Sequence, residues 1–144
     1  MSRAFVKDDD DRPELPFKRV AGDAPNYVTA AGLQRLREAL AKAQAEGDAR
    51  NADYFEQRVA SAILDDPATH EKGVAAFGTT VTTKDERGNE TRVRIVGEDE
   101  ADPTSGTISW TSPYAQALLD HHIGDNVVVH RPAGPATIRI ERVE

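Results

Sequence analysis

A chain of 144 residues has room for one ordinary domain or two small ones, and side chains that are 38% apolar and 30% charged describe a globular protein rather than a disordered one. The net charge of −7 is spread as −1 over residues 1–28, −2 over 29–66 and −4 over 67–144, so no segment advertises the basic patch of a direct nucleic-acid binder, and a partner protein is the better expectation. Cysteine is absent, which excludes disulfides and thiolate metal sites, and no run nears the ~18 apolar residues of a membrane span or forms the apolar centre of a signal peptide, so a cytoplasmic location is expected.

Residues 1–26 read as a flexible acidic tail. Asp8 to Asp11 are successive acids that repel one another in any compact form, and Pro13, Pro16 and Pro25 interrupt helix. Order is expected from about Thr29, whose hydroxyl can cap a helix. Leu33, Leu36, Leu40 and Ala43 then follow at the 3-4-3 spacing of a coiled-coil seam. Gly47-Asp48 breaks this pattern. A second helical pattern runs from about Asn51 to Leu64, with Phe55, Val59, Ala62 and Ile63 on one face, and Asp65-Asp66-Pro67 ends it. Two amphipathic helices joined by a short polar turn predict an antiparallel helical hairpin over residues 27–67. Arms of only ~15 residues are marginal alone, so the hairpin should lean on the rest of the protein.

From Phe77 the period changes to two. Thr79 to Thr83 and Thr91 to Val96 flank a turn at Gly88 and predict a β-hairpin. Gly97 to Gly106 is acidic and loop-like. Thr107 to Trp110 forms a short strand, and Ser112-Pro113 starts a helix, with Ser as cap and Pro at the first helical position. Val127 to Val129 and Thr137 to Val143 supply two further strands around a Pro132–Pro135 turn. The order β-β-β-α-β-β predicts an antiparallel sheet wrapped on one helix, and the whole chain is α+β.

These residues resemble the Gre transcript-cleavage factors of the GreA/GreB type. Arg94-Ile95-Val96-Gly97-Glu98-Asp99-Glu100-Ala101-Asp102 looks like the family's R-I-V-G-x-D-E-A-D loop. Ile108-Ser109-x-x-Ser112-Pro113-x-Ala115-x-Ala117-Leu118-Leu119 looks like its strand-to-helix motif, and Gly124-Asp125-x-Val127-Val128 with Pro132-Ala133-Gly134 looks like its last hairpin. The resemblance implies an FKBP-like C-terminal domain, here over 74–144, that docks on the RNA polymerase core near the rim of the secondary channel. Nucleic acid would then be met only through the elongation complex, and a monomer is expected.

The hairpin matches less completely. Thr29-x-x-Gly32-x-x-x-Leu36-Arg37-Glu38-x-Leu40 looks like the family's opening. Gly47-Asp48-x-x-Asn51-Ala52-Asp53-Tyr54 looks like its tip, G-D-x-x-E-N-A-[DE]-Y, without the glutamate before the Asn. In the family an acidic pair at this tip helps hold a catalytic Mg²⁺ of the polymerase and promotes hydrolysis of backtracked RNA. Asp48 matches the first acid, and Arg50 stands nearest the second. Each arm is also shorter than the family norm by ~15 residues, which removes roughly 20 Å of reach at 1.5 Å per residue. Mg²⁺ coordination is a contact at about 2.1 Å, so such a shortfall abolishes it.

The candidate tip acids are therefore Asp48 and Glu46, with Asp53 beside them, against the plainer reading of a polar loop whose acids favour a helix N-terminus. The candidate partner-binding residues are Thr111, Ser112 and Pro113, which the family places on its docking surface and which would serve a helix start in any case. His121-His122 beside Asp120 and Asp125 reads as surface polar residues, because adjacent histidines point apart and no further ligand set is evident. Neither a nucleophile motif nor a phosphate loop is present, so no catalytic residue, metal or cofactor of its own is expected. Three functions stay open: a channel-entrance regulator of transcription with weak or no cleavage stimulation, a full transcript-cleavage factor using Asp48 and the polymerase's Mg²⁺, and a prolyl-isomerase-like module. The last needs an aromatic-lined pocket and has few rings to build it, Phe77, Trp110 and Tyr114.

Overall fold

The computed structural model describes residues 24–144. The acid run at Asp8 to Asp11 and the rest of the expected tail up to residue 23 lie outside the described residues. Order begins earlier than the tail reading proposed: Asn26–Val28 is already a strand, β1. Thr29 ends it and caps the next element, α1, Ala30–Ala45, by accepting from the Gly32 N–H at 2.9 Å. The second helix, α2, spans Ala49–Ser61.

The chain then departs from the helical pattern. Ala62 turns extended, with ψ at 134°, and Ala62–Leu64 forms a strand, β2, parallel to β1 with Asn26 opposite Ala62 and Val28 opposite Leu64. Ala62 and Ile63 do continue the apolar spacing of Phe55 and Val59, but pairing with β1 offers their backbone ladder bonds that helix could supply only by carrying on into Asp66-Pro67. The packed seam of the hairpin comes from α1, where Leu36 and Ala43 are buried. On α2 the single buried side chain among the described residues is a cation, Arg58.

Beyond a short 3₁₀ turn at Pro67–Thr69, the second half builds a five-stranded sheet from β3 (Thr80–Asp85), β4 (Glu90–Val96), β5 (Thr107–Ser109), β6 (Asn126–Val129) and β7 (Ala136–Val143). Their spatial order is β5-β4-β3-β7-β6. The β3·β4, β3·β7 and β7·β6 pairs are antiparallel as expected, while β5 lies parallel to β4. A parallel neighbour needs a crossover, and the acidic segment from Gly97 to Gly106 supplies it. The third helix, α3 (Pro113–Leu118), lies over the sheet. Ile95, Ile140, Val81 and Leu118 are fully buried between them, each worth about 2 kcal/mol of removed apolar surface.

Candidate functional site

At the hairpin tip the backbone dictates the geometry. Gly47 takes φ +70°, a left-handed conformation that closes α1, and the N–H groups of Gly47 and Asp48 donate back to the carbonyls of Gln44 and Ala43 at 3.2 and 2.9 Å. That crossed pair of bonds is a Schellman closure. Asp48 thus ends one helix and begins the next. Its Oδ1 accepts from the Asn51 N–H at 3.1 Å, and its Oδ2 accepts from the Asn51 side-chain amide at 2.7 Å. The backbone bond from Asn51, then the side-chain bond from the same residue and the charge of Arg50, hold the Asp48 carboxyl below its ordinary range. Both oxygens of the candidate tip acid therefore have a structural employer. Glu46 caps the end of α1 with its backbone and leaves its side chain exposed, as is Asp53. At 1.5 Å per residue, the 16 residues of α1 and 13 of α2 make arms about 24 and 20 Å long.

The candidate docking segment lies where β5 passes into α3. Ser112 is the N-cap of α3 and accepts from the Ala115 N–H at 3.3 Å, with Pro113 at the first helical position and exposed. The Thr111 N–H donates to Ser109 Oγ at 3.1 Å, and the two hydroxyls lie 2.7 Å apart. Tip and docking segment are thus separate sites, one at the α1–α2 turn and the other at the start of α3.

Beside the docking segment stands an acidic loop that the sequence marks as a family-like motif but not as a contact with the hairpin. Glu98, Asp99 and Glu100 reach from the crossover onto the hairpin. Arg58 Nε donates to Asp99 Oδ2 at 2.6 Å, its Nη2 donates to Asn26 Oδ1 at 2.8 Å and reaches Glu98 Oε1 at 3.4 Å, and Tyr54 donates its hydroxyl to Asp99. On the other arm, Thr29 Oγ1 donates to Glu100 Oε1 at 2.7 Å and Arg35 lies 3.8 Å from the same carboxylate. Burial opposes the charge on Arg58, but the bond to Asp99 and the proximity of Asp99, Tyr54 and Glu98 outweigh it and raise its pKa further. Three consecutive acids thereby fix both arms of the hairpin to the sheet. The sequence marks these acids as part of the family-like motif, and their partner is Arg58, a charge buried on an amphipathic helix.

Two glycines, Gly32 against Glu100 and Gly97 against Tyr27, make this junction close. A Cβ on Gly97 would strike the carbonyl oxygen of Tyr27 in β1, so only glycine lets the crossover pass there. Tyr27 packs its ring on Trp110 at 5.1 Å and on Phe77 at 6.0 Å. Those rings, which an isomerase pocket would need, are spent on the hairpin junction, while the Tyr114 hydroxyl is engaged with Thr83 at 2.9 Å. His121 and His122 are exposed, and the His122 ring lies 3.9 Å from Asp125. No group of three or more His, Cys, Asp or Glu with metal-binding geometry occurs among the described residues. No helix among them is long and apolar enough to cross a membrane.

Residues 70–144 match the family model described as transcription elongation factor, GreA/GreB, C-term. The chain is 37% identical over 127 residues to the transcription elongation factor GreA of Anaeromyxobacter sp. (strain K), covering 76% of either chain. It is 35% identical over 129 residues to the protein of the same name from Vibrio cholerae, covering 76% of this chain and 82% of that one. Among solved structures, GreA factor homolog 1 of Thermus thermophilus aligns over 84% of this chain and 99% of its own, with 24% identity and a TM-score of 0.46.

Proposed function

The chain belongs to the GreA/GreB family of transcription elongation factors, and we propose that it binds the RNA polymerase core at the secondary channel and regulates elongation there with weak or no stimulation of transcript cleavage. The docking surface in this reading is the segment Thr111, Ser112 and Pro113, and the hairpin occupies the channel entrance. The protein acts as a cytoplasmic monomer, carries no metal and is not itself an enzyme. Any RNA hydrolysis remains the polymerase's own.

The observation that carries this reading is the state of Asp48. A carboxylate that assists a metal must aim an oxygen lone pair at it, and each oxygen of Asp48 already gives one to Asn51, at 3.1 and 2.7 Å. Freeing Oδ1 would uncap α2, and freeing Oδ2 would release the Asn51 side-chain amide. The second acid of the family's tip is missing, with Arg50 in its neighbourhood, and a cation there repels Mg²⁺. Arms of about 24 and 20 Å add the limit of reach.

The test is RNA cleavage in a stalled, backtracked elongation complex, with wild type, Asp48→Asn and Asp48→Ala side by side, together with a pull-down of core polymerase. Asparagine keeps the cap and removes the charge, so it separates the two roles of this residue. Binding without cleavage in all three supports the regulator. Cleavage by wild type that Asp48→Asn loses would make the protein a working cleavage factor instead. Failure of wild type to bind core polymerase would remove both readings.

A further inference from the structure

Glu98 divides its carboxylate between the two sites described above. Its Oε1 faces Arg58 Nη2 of the hairpin at 3.4 Å, and its Oε2 accepts from Thr111 Oγ1 of the docking segment, also at 3.4 Å. The hydroxyl of Thr111 has one hydrogen, and giving it to Glu98 leaves Ser109 to donate across their 2.7 Å contact. A continuous line therefore runs Ser109–Thr111–Glu98–Arg58. Its two Glu98 links are long for bonds to a carboxylate, which close to about 2.7–2.9 Å from a guanidinium and about 2.5–2.7 Å from a hydroxyl when nothing competes. The neighbouring grips are tight by contrast, 2.6 Å from Arg58 to Asp99 and 2.7 Å from Thr29 to Glu100. Glu98 is stretched between two partners while Asp99 and Glu100 each hold the hairpin firmly.

We propose that Glu98 is a positioning residue that sets the hairpin's angle according to whether the docking segment is occupied. A partner that takes the Thr111 hydroxyl releases one oxygen of Glu98, which then closes on Arg58 and draws the C-terminal half of α2 toward the crossover. Two arrangements result, one with Glu98 shared and one with Glu98 given wholly to Arg58. The inference rests on the docking reading above, since it takes core RNA polymerase as the partner that engages Thr111.

Because the chain has no cysteine, Gln44→Cys near the hairpin tip and Asn89→Cys in the β3–β4 turn give a unique pair of labelling sites on the full chain. The distance between two spin labels there is read with and without core RNA polymerase. In the otherwise wild-type protein the distance shifts on binding. Thr111→Val, which removes the hydroxyl and keeps the shape, shows the shifted distance already in the free protein. Glu98→Ala loses the shift, and Glu98→Gln restores it, because its amide oxygen still accepts from Arg58 and its amide nitrogen donates to Thr111. Asp99 and Glu100 remain to hold the fold in Glu98→Ala, and an unchanged unfolding transition verifies this. An equal shift in Glu98→Ala and wild type, or an unaltered free distance in Thr111→Val, would overturn the proposal. Absence of any binding by the labelled wild type overturns the docking reading, while the free-protein comparison still decides whether Thr111 and Glu98 control the hairpin.

Discussion

Arg58 and Asp99 meet at 2.6 Å across the junction of hairpin and sheet, with side chains 6% and 11% exposed. A pair so buried is a joint that ties the hairpin to the sheet rather than a surface decoration. Taking the ions out of water costs several kcal/mol each, and the arrangement survives because Tyr54, Asn26 and Glu98 complete the hydrogen bonding around them.

Removing one partner should therefore be costly. Arg58→Met leaves Asp99 buried against a thioether and is expected to destabilise the protein by about 3 kcal/mol. Adding Asp99→Leu should recover much of that loss, because a well-packed apolar pair escapes the desolvation cost. Urea unfolding followed by the fluorescence of Trp110, the single tryptophan of the chain, reads both. Equal stability of Arg58→Met and wild type would mean that the joint is no part of what holds the hairpin.

The two glycines at the junction should differ in their tolerance of a methyl group. Alanine at Gly97 meets the backbone of Tyr27, which cannot swing aside, and overpacking of this kind costs about 1–3 kcal/mol. Alanine at Gly32 would approach Glu100 Oε1 to 2.5 Å, yet that is the end of a side chain that can move. There the gain of about 1 kcal/mol in helix propensity offsets a loosened Thr29–Glu100 bond. Gly32→Ala is expected to melt close to wild type and Gly97→Ala well below it.

Most elements were legible because their signals are local. The turn at Gly88, the Ser112-Pro113 start and the alternation from Thr91 to Val96 each fix a strand or helix with few residues. The β1·β2 pair was not legible, since three-residue strands have no period and Ala62-Ile63 fit the helix face equally well. The role of Glu98, Asp99 and Glu100 was hidden for a different reason. Consecutive acids between a strand and a turn read as loop, and only the fold brings Arg58, 41 positions before Asp99, beneath them. The tip was legible as a sequence feature, while the commitment of Asp48 to Asn51 depended on where α2 begins.

The acid response of the turns follows from three depressed carboxyls. Asn89's backbone N–H lowers Asp85, the Thr104 side chain lowers Asp102, and the Asn51 backbone N–H lowers Asp48. A folded-state pKa below the unfolded value means that the stabilisation is complete above the ordinary carboxylate pKa near ~4 and is lost as pH falls through the lowered value. These groups are open to solvent, so each contribution is small. The backbone amide of Asn51 should report it directly in an NMR titration, with a midpoint below the ordinary aspartate range, and Asp48→Asn should abolish that transition. A midpoint at or above the ordinary value would contradict the cap.

The restraint on cleavage can be tested by reversing it. Two heptads inserted into each arm of the hairpin, at matched positions so that the antiparallel register survives, would extend it by about 21 Å. Extension alone should leave cleavage low, because Asp48 still caps α2 through Asn51 and the second acid is absent. Extension combined with Arg50→Glu removes a cation from the tip and supplies a carboxylate that has no cap to make, and this variant is expected to stimulate cleavage in the backtracked complex. If extension alone sufficed, reach would be the whole restraint and the engagement of Asp48 irrelevant. If the combined variant bound core polymerase and stayed inactive, the tip would lack something other than length and charge, and the limit would have to be sought in the angle that Glu98, Asp99 and Glu100 impose on the arms.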